Sequence, residues 1–312
     1  MNDFRIVAAP LQGYTEAPWR SSHSYLFGGI DEYFTPFLRV EKGEIRQRDL
    51  RDVLSPLNED INTTPQIIIG TTDEFRLLAD TLAEKEFDRI DINLGCPFPP
   101  QVHHGRGAGA IRRTEFLEAI ADEMSRRPHI SFSIKMRLGA TSPDEWRTAM
   151  PVINRMPLRH VTLHPRIASQ QYRGELNYGE ASSFAAECVH PLIFNGEIHS
   201  ADDILKLRGR FPSIAGVMLG RGLLSRPSLA AEYRSGAEFS HKEITRGILS
   251  LHKSVYMATA PSLCGDAQIL AKMKPFWDYA GANMNRKAVK AIIKARTAPA
   301  YLEAVHRLTD TE

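Results

Sequence analysis

Apolar positions fall into eight short runs, at 6–9, 33–38, 66–69, 89–94, 131–136, 160–163, 192–194 and 214–219, each bounded by turn residues, and these predict β-strands. Between them, apolar residues return every three or four positions near 18–27, 73–85, 114–126, 143–155, 178–187, 200–209 and 223–234, which predicts amphipathic helices. The segment 41–62 breaks the alternation and predicts a loop. Strand and helix alternating over some 240 residues favour a closed (β/α)8 TIM barrel over an open doubly wound sheet. From 239 the strand-like runs stop. Helices are predicted at 242–260 and 275–308, joined by a segment containing Pro261 and Gly265. The expected organisation is an α/β barrel at 1–238 followed by a small all-helical domain at 239–312.

In such a barrel the chemistry sits on the loops after the strands. Unusual residues collect there: Pro10-Leu11-Gln12-Gly13, Gln66, Asn93 with Cys96, Lys135 with Arg137, His164 with Arg166, Asn195-Gly196-Glu197 and Gly220-Arg221-Gly222. The run ending Asp91-Ile92-Asn93-Leu94-Gly95-Cys96-Pro97 presents one thiol at a strand's C-terminal end. Taken alone, that cysteine is either a packed apolar residue or a reactive group. The glycines after the seventh and eighth strands stand where this barrel binds phosphate, and they also read as ordinary turn glycines.

Charge adds a second signal. The net value of +2 is uninformative until divided: 11 of the 39 Lys and Arg but 6 of the 37 Asp and Glu fall in 241–312, leaving +5 there against −3 elsewhere. Lys272, Lys274, Arg286, Lys287, Lys290, Lys294 and Arg296 cluster with Phe276, Trp277 and Tyr279. Such a face suits either a polyanion or plain solvation, and the aromatics suit a core. Three cysteines far apart, Cys96, Cys188 and Cys264, suggest no disulfide framework and a reducing, cytoplasmic setting. No apolar stretch has the length of a membrane span. His103-His104 lacks a further cysteine or carboxylate at ligand spacing, so no metal site is expected.

Together these residues resemble the tRNA-dihydrouridine synthases, FMN-dependent enzymes that reduce uridine in tRNA. The resemblance rests on Ala9-Pro10-Leu11 with Gly13 and Arg20, Gln66, Asn93-Leu94-Gly95-Cys96-Pro97, Gly107-Ala108-Gly109-Ala110, Lys135-Met136-Arg137, His164-Pro165-Arg166 with Tyr172 and Gly174, Asn195-Gly196-Glu197 and Gly220-Arg221-Gly222. It implies bound FMN, with NADPH or NADH as electron donor. Cofactor contacts are implied for Pro10, Leu11, Gln12, Gln66, Lys135, His164, Asn195, Gly196, Glu197, Gly220 and Arg221. It further implies hydride delivery to uracil C6 and a proton from Cys96 to C5. Substrate contacts are implied for Asn93, Arg137, Arg166 and Tyr172 around a flipped uridine, and for Lys272, Lys274, Lys290 and Lys294 along the RNA. A monomer is expected.

The chain departs from the family pattern at Leu11, at Thr35-Pro36 where a carboxylate is usual, at His164-Pro165-Arg166-Ile167, and at Phe98-Pro99-Pro100 after the cysteine. Three rival readings remain: a flavin barrel acting on a small pyrimidine, a synthase acting on ribosomal RNA, and an RNA-binding barrel without catalysis. The basic tail argues against the first, and Cys96 with Lys135 against the last.

Overall fold

A computed structural model describes residues 4–309, so the outermost residues of both expected domains, 1–3 and 310–312, lie outside the described residues. The strands are β1 (Arg5–Ala8), β2 (Glu32–Phe34), β3 (Val40–Glu41), β4 (Glu44–Ile45), β5 (Thr63–Thr64), β6 (Gln66–Ile67), β7 (Arg89–Leu94), β8 (Ser131–Gly139), β9 (Leu158–Ile167), β10 (Leu192–Asn195) and β11 (Gly216–Leu219). All but β3 and β4 form one parallel sheet in the order β5-β2-β1-β11-β10-β9-β8-β7-β6. β5 pairs with β2 and β6 with β7, and only Pro65, which has no N–H to give a ladder, separates the two halves. They are one barrel strand, so the eight-stranded ring closes with helices outside, as expected of a TIM barrel.

Side-chain alternation sorts the residues into two layers. Outward-facing Ile90, Ile92, Ile134, Met136, Val161 and Leu163 join the large core beneath the helices. Inside the barrel, one half is apolar, built from Val7, Ala9, Phe34, Ile193 and Met218. The other half is polar: Asp91 and Asn93 on β7, Ser133, Lys135 and Arg137 on β8, and His160, Thr162, His164 and Arg166 on β9. This explains why β8 and β9 outrun the predicted 131–136 and 160–163. Their polar residues imitate strand ends while the backbone keeps pairing, Arg137 with His164 and Gly139 with Ile167. At the other end of the barrel, buried Glu32 is held by Arg5, Thr64 and both amino groups of Arg159, the latter at 2.5 and 3.1 Å.

Three further predicted elements differ. The helix predicted at 223–234 is two, Arg221–Ser225 and Leu229–Ser235, parted at Arg226-Pro227. The expected loop 41–62 contains the β3–β4 hairpin, a helix at Gln47–Val53 and a 3-10 turn at Pro56–Asn58. The hairpin turns on Lys42 and Gly43, both at positive φ (53° and 83°), a two-residue solution for which Lys-Gly is an inconspicuous signature. Buried Arg20 ties the segment down through Asp52 at 3.0 Å and Asn58 at 2.9 Å. The expected helix 275–308 is instead three, Trp277–Ala280, Arg286–Lys294 and Ala298–Thr309, and the presumed linker before it carries a fourth, Gly265–Met273. Asn285 makes the break before Arg286–Lys294 by capping: its side-chain oxygen accepts from the N–H groups of Lys287 and Ala288.

The helical part docks on the barrel through the loop after β1. Tyr14 donates to Asp278 at 2.9 Å, Glu16 pairs with Lys272, and Gly247 lets the helix His241–Thr259 approach Phe27. Its core is polar at one point, where His252 and the Trp277 indole both meet the Tyr301 hydroxyl, at 2.6 and 2.9 Å. Burial brings His252 from 6.5 down to about 4. Because the folded-state value lies below the unfolded one, its stabilisation is complete above about pH 6.5 and lost as pH falls toward about 4, on the order of 3 kcal/mol in all. Thermal unfolding followed across that range should show the loss, and His252→Phe should reduce it by about that amount, the remainder coming from His23 and His160, which burial also brings down.

Candidate active site at the C-terminal ends of the strands

The chain leaves β7 through Gly95, Cys96 and Pro97, and three contacts fix that backbone. The Asn93 side-chain oxygen accepts from the N–H groups of Gly95 at 3.0 Å and Cys96 at 2.7 Å. The Cys96 carbonyl accepts from Ala108 N–H at 3.2 Å. The turn bearing Ala108 comes this close because Gly107 has no side chain: a Cβ there would stand 2.8 Å from Cys96 Cβ, and its φ is +54°. Cys96 itself is half-buried and opens onto a cavity at the strands' C-terminal ends. Burial pushes the thiol up, outweighing the Phe98 N–H and the Arg137 and Lys135 charges that pull it down. It therefore stays protonated at neutral pH and can give a proton.

Around the thiol the cavity is cationic. Burial brings Lys135 down to about 8, helped by Arg137 and opposed by Asp91 and Cys96. Arg137 donates to the carbonyls of Gly95 at 3.0 Å and Ile167 at 3.1 Å. Burial brings it to about 10, still cationic at neutral pH. His164 is held well below its ordinary value by burial and then by Arg137, Lys135, Arg166 and Arg221, so it is a neutral imidazole. Tyr172, 44% exposed, lies between two guanidiniums, 5.4 Å from Arg137 and 4.7 Å from Arg221.

One carboxylate on the wall answers these charges. Glu197 accepts from Arg166 at 2.7 Å, Arg221 at 2.6 Å and His199 at 3.1 Å, and these partners hold it below its usual range against the effect of burial. The loops after β10 and β11 meet here as closely as backbone allows: a Cβ on Gly222 would stand 1.8 Å from the Ile198 carbonyl oxygen. A cavity with this balance favours an anion.

The same cavity gathers Pro10, Leu11, Gln12, Asn93, Cys96, Lys135 and Arg137 from the first half of the chain, and His164, Tyr172, Asn195, Gly196, Glu197, Gly220 and Arg221 from the second. Two expected residues stand behind its wall. Gln66 is fully buried, with its amide spent on Asp91 and Asn93. Arg166 is spent on Gly174 O and Glu197. Among the lysines, Lys272 pairs with Glu16 and Lys274 donates to Ala295 O at 2.6 Å, whereas Lys290 and Lys294 lie exposed on the helix Arg286–Lys294. Phe37, Ile198, His199 and Met218 also line the cavity. Sequence reasoning passed over them because Phe37 and Met218 sit inside apolar runs with nothing to set them apart. Among the described residues no cluster of three or more His, Cys, Asp or Glu is placed to hold a metal ion, and no helix is long and apolar enough to cross a membrane.

A thiol kept protonated beside an anion-accepting cavity, at the C-terminal mouth of a parallel barrel, defines a (β/α)8-barrel enzyme. Residues 6–295 match the model of the dihydrouridine synthase (Dus) family, and the chain belongs to that family. It is 29% identical over 267 residues to a probable tRNA-dihydrouridine synthase 2 of Bacillus subtilis, covering 80% of this chain and 78% of the relative. It is 28% identical over 259 residues to a probable tRNA-dihydrouridine synthase of Staphylococcus epidermidis, covering 80% and 77%. A tRNA-dihydrouridine(16) synthase of Neisseria meningitidis is 27% identical over 241 residues, covering 74% and 71%. Among solved structures, morphinone reductase in complex with tetrahydroNAD shares the fold, with a TM-score of 0.51 at 11% identity over 76% of this chain and 88% of that one.

Proposed function

We propose that this chain reduces uridine in tRNA to 5,6-dihydrouridine in the cytoplasm, with FMN as the bound redox group and NADPH or NADH as electron donor. The observation that carries the reading is the protonated Cys96 thiol on the wall of a cavity whose cations outnumber its one carboxylate. The residues fit a flavin phosphate: Arg221 and the glycine loops at 196 and 220–222 meet at the ends of the adjacent strands β10 and β11, and Lys135 lines the same cavity. Pro10, Leu11 and Gln12 with Asn195 would hold the ring system. Bound there, FMN supplies the hydride that reduces the C5–C6 bond.

The chain's own residues supply the rest. Cys96 holds a proton at Sγ and gives it to C5. Arg137 and Tyr172 orient the base and its phosphate by charge and by a half-exposed ring. Neutral His164 offers a ring N–H without further charge. The uridine must leave its stack to reach this cavity. Purified protein should be yellow, with the absorption of oxidised flavin. A colourless preparation that takes up no added FMN contradicts the reading.

Residues 239–312 supply the RNA-docking surface in this proposal. Lys290 and Lys294 are exposed, so each can meet a phosphate, while Lys272 anchors this domain to the barrel through Glu16. Filter binding of transcribed tRNA at several salt concentrations measures this. Replacing Lys290 and Lys294 by Ala together should lower the magnitude of the slope of log K against log salt by about two and leave the flavin spectrum unchanged. An unchanged slope would remove both lysines from the interface.

A further inference from the structure

Beneath the cavity lies a chain of polar side chains whose hydrogen bonds all run one way. Asp91 is fully buried on the inner face of β7, and its carboxylate accepts from Ser133 Oγ at 2.6 Å and Gln66 Nε2 at 2.7 Å. Gln66 Oε1 accepts from Asn93 Nδ2 at 2.8 Å. Asn93 Oδ1 then accepts from the N–H groups of Gly95 and Cys96. The two amides have no freedom to flip. An ionised carboxylate only accepts, and a backbone N–H only donates, so the ends dictate that both amides point their NH2 groups toward Asp91 and their oxygens toward Cys96. Turning Gln66 over would set its oxygen against the Asp91 carboxylate and its NH2 against that of Asn93. In a buried interior each such mismatch is costly.

We infer that Asp91 is a positioning residue of this site, fixing through Gln66 and Asn93 the backbone from which the Cys96 thiol projects. This assigns Gln66 to the relay, in line with its complete burial. Asp91 touches nothing that reacts. Its part is polarity, and its side chain enters through an acceptor that other groups can imitate.

Isosteric variants test this, since they leave the barrel filled. Asp91→Asn still offers Oδ1 to Gln66 and can donate its NH2 to Ser133 Oγ, so its Cys96 should be labelled at the parent's rate, although Lys135 loses a neighbouring negative charge. Gln66→Leu breaks the relay. Gln66→Glu sets two carboxylates together at about pH 8, and the defect should shrink as pH falls and the pair shares a proton. Adding Asp91→Asn to Gln66→Glu restores a donor facing an acceptor at both junctions and should recover most of the loss. The first readout is the rate at which iodoacetamide labels Cys96, followed by peptide mass spectrometry on the purified protein, which needs no assumption about the reaction. The second rests on the reduction proposed above: kcat for tRNA should fall about 10- to 100-fold in Gln66→Leu and Gln66→Glu, with KM nearly unchanged. Parent-like labelling and kcat in both Gln66 variants would overturn the inference, as would a Gln66→Glu defect that Asp91→Asn does not relieve. A parent protein that forms no dihydrouridine sinks the proposed function, and the labelling experiment still decides the relay.

Discussion

Cys96→Ala is expected to keep its flavin and its RNA affinity while losing turnover by about 10²–10⁴, the usual cost of removing a positioned general acid. The separation follows from the geometry. Cys96 contributes its backbone to the contacts with Asn93 and Ala108, and an alanine keeps all of these. What is lost is the Sγ proton alone. Steady-state kinetics with tRNA, set beside the flavin spectrum and a binding isotherm, resolves the three quantities. The pH profile adds a second check: burial raises the thiol, so the acid should remain competent up to and beyond the ordinary thiol range before activity declines. Turnover equal to the parent's would return Cys96 to a packing role.

Lys135→Met should weaken FMN binding by about 10- to 100-fold, because it removes a poorly solvated cation facing the anion. The pH dependence is more telling than the magnitude. Lys135 sits near 8, so its positive charge is present below that value and lost as pH rises through it. A bound anion holds the proton in place, so the parent's log affinity should fall with rising pH, with a slope approaching about −1 above pH 8. The methionine variant should lose this slope. Fluorescence quenching of FMN titrated into flavin-free protein reads both effects. A parent whose affinity is flat across the range would mean that Lys135 does not face the anion.

Much of this site was legible in the sequence because it is built from strand ends. Cys96, Lys135, His164, Asn195 and Arg221 stand where apolar runs stop, and a barrel brings all such ends to one mouth. The barrel's interior was harder to read. Asp91 shares an inner face with Asn93 two residues on, in a strand whose other face is Ile90, Ile92 and Leu94. That period-two placement of an acid in a buried strand was the available signal, but its partners Gln66 and Ser133 lie on other strands. Gln66 gave no local sign of these partners, since nothing in the sequence distinguishes an amide facing a cavity from one that supports its neighbour. The basic tail was legible only as a count. Composition counts lysines without showing that Lys272 and Lys274 are spent on Glu16 and a backbone carbonyl.

The most direct test of the central claim is to incubate purified protein with FMN, NADPH and tRNA transcribed without modification, then digest the RNA and measure its nucleosides by mass spectrometry. The account predicts a uridine-derived nucleoside heavier by two hydrogens, formed by the parent and suppressed in Cys96→Ala. Uridine that stays unreduced in every tRNA offered, by a protein shown to hold flavin and to oxidise NADPH, would contradict it.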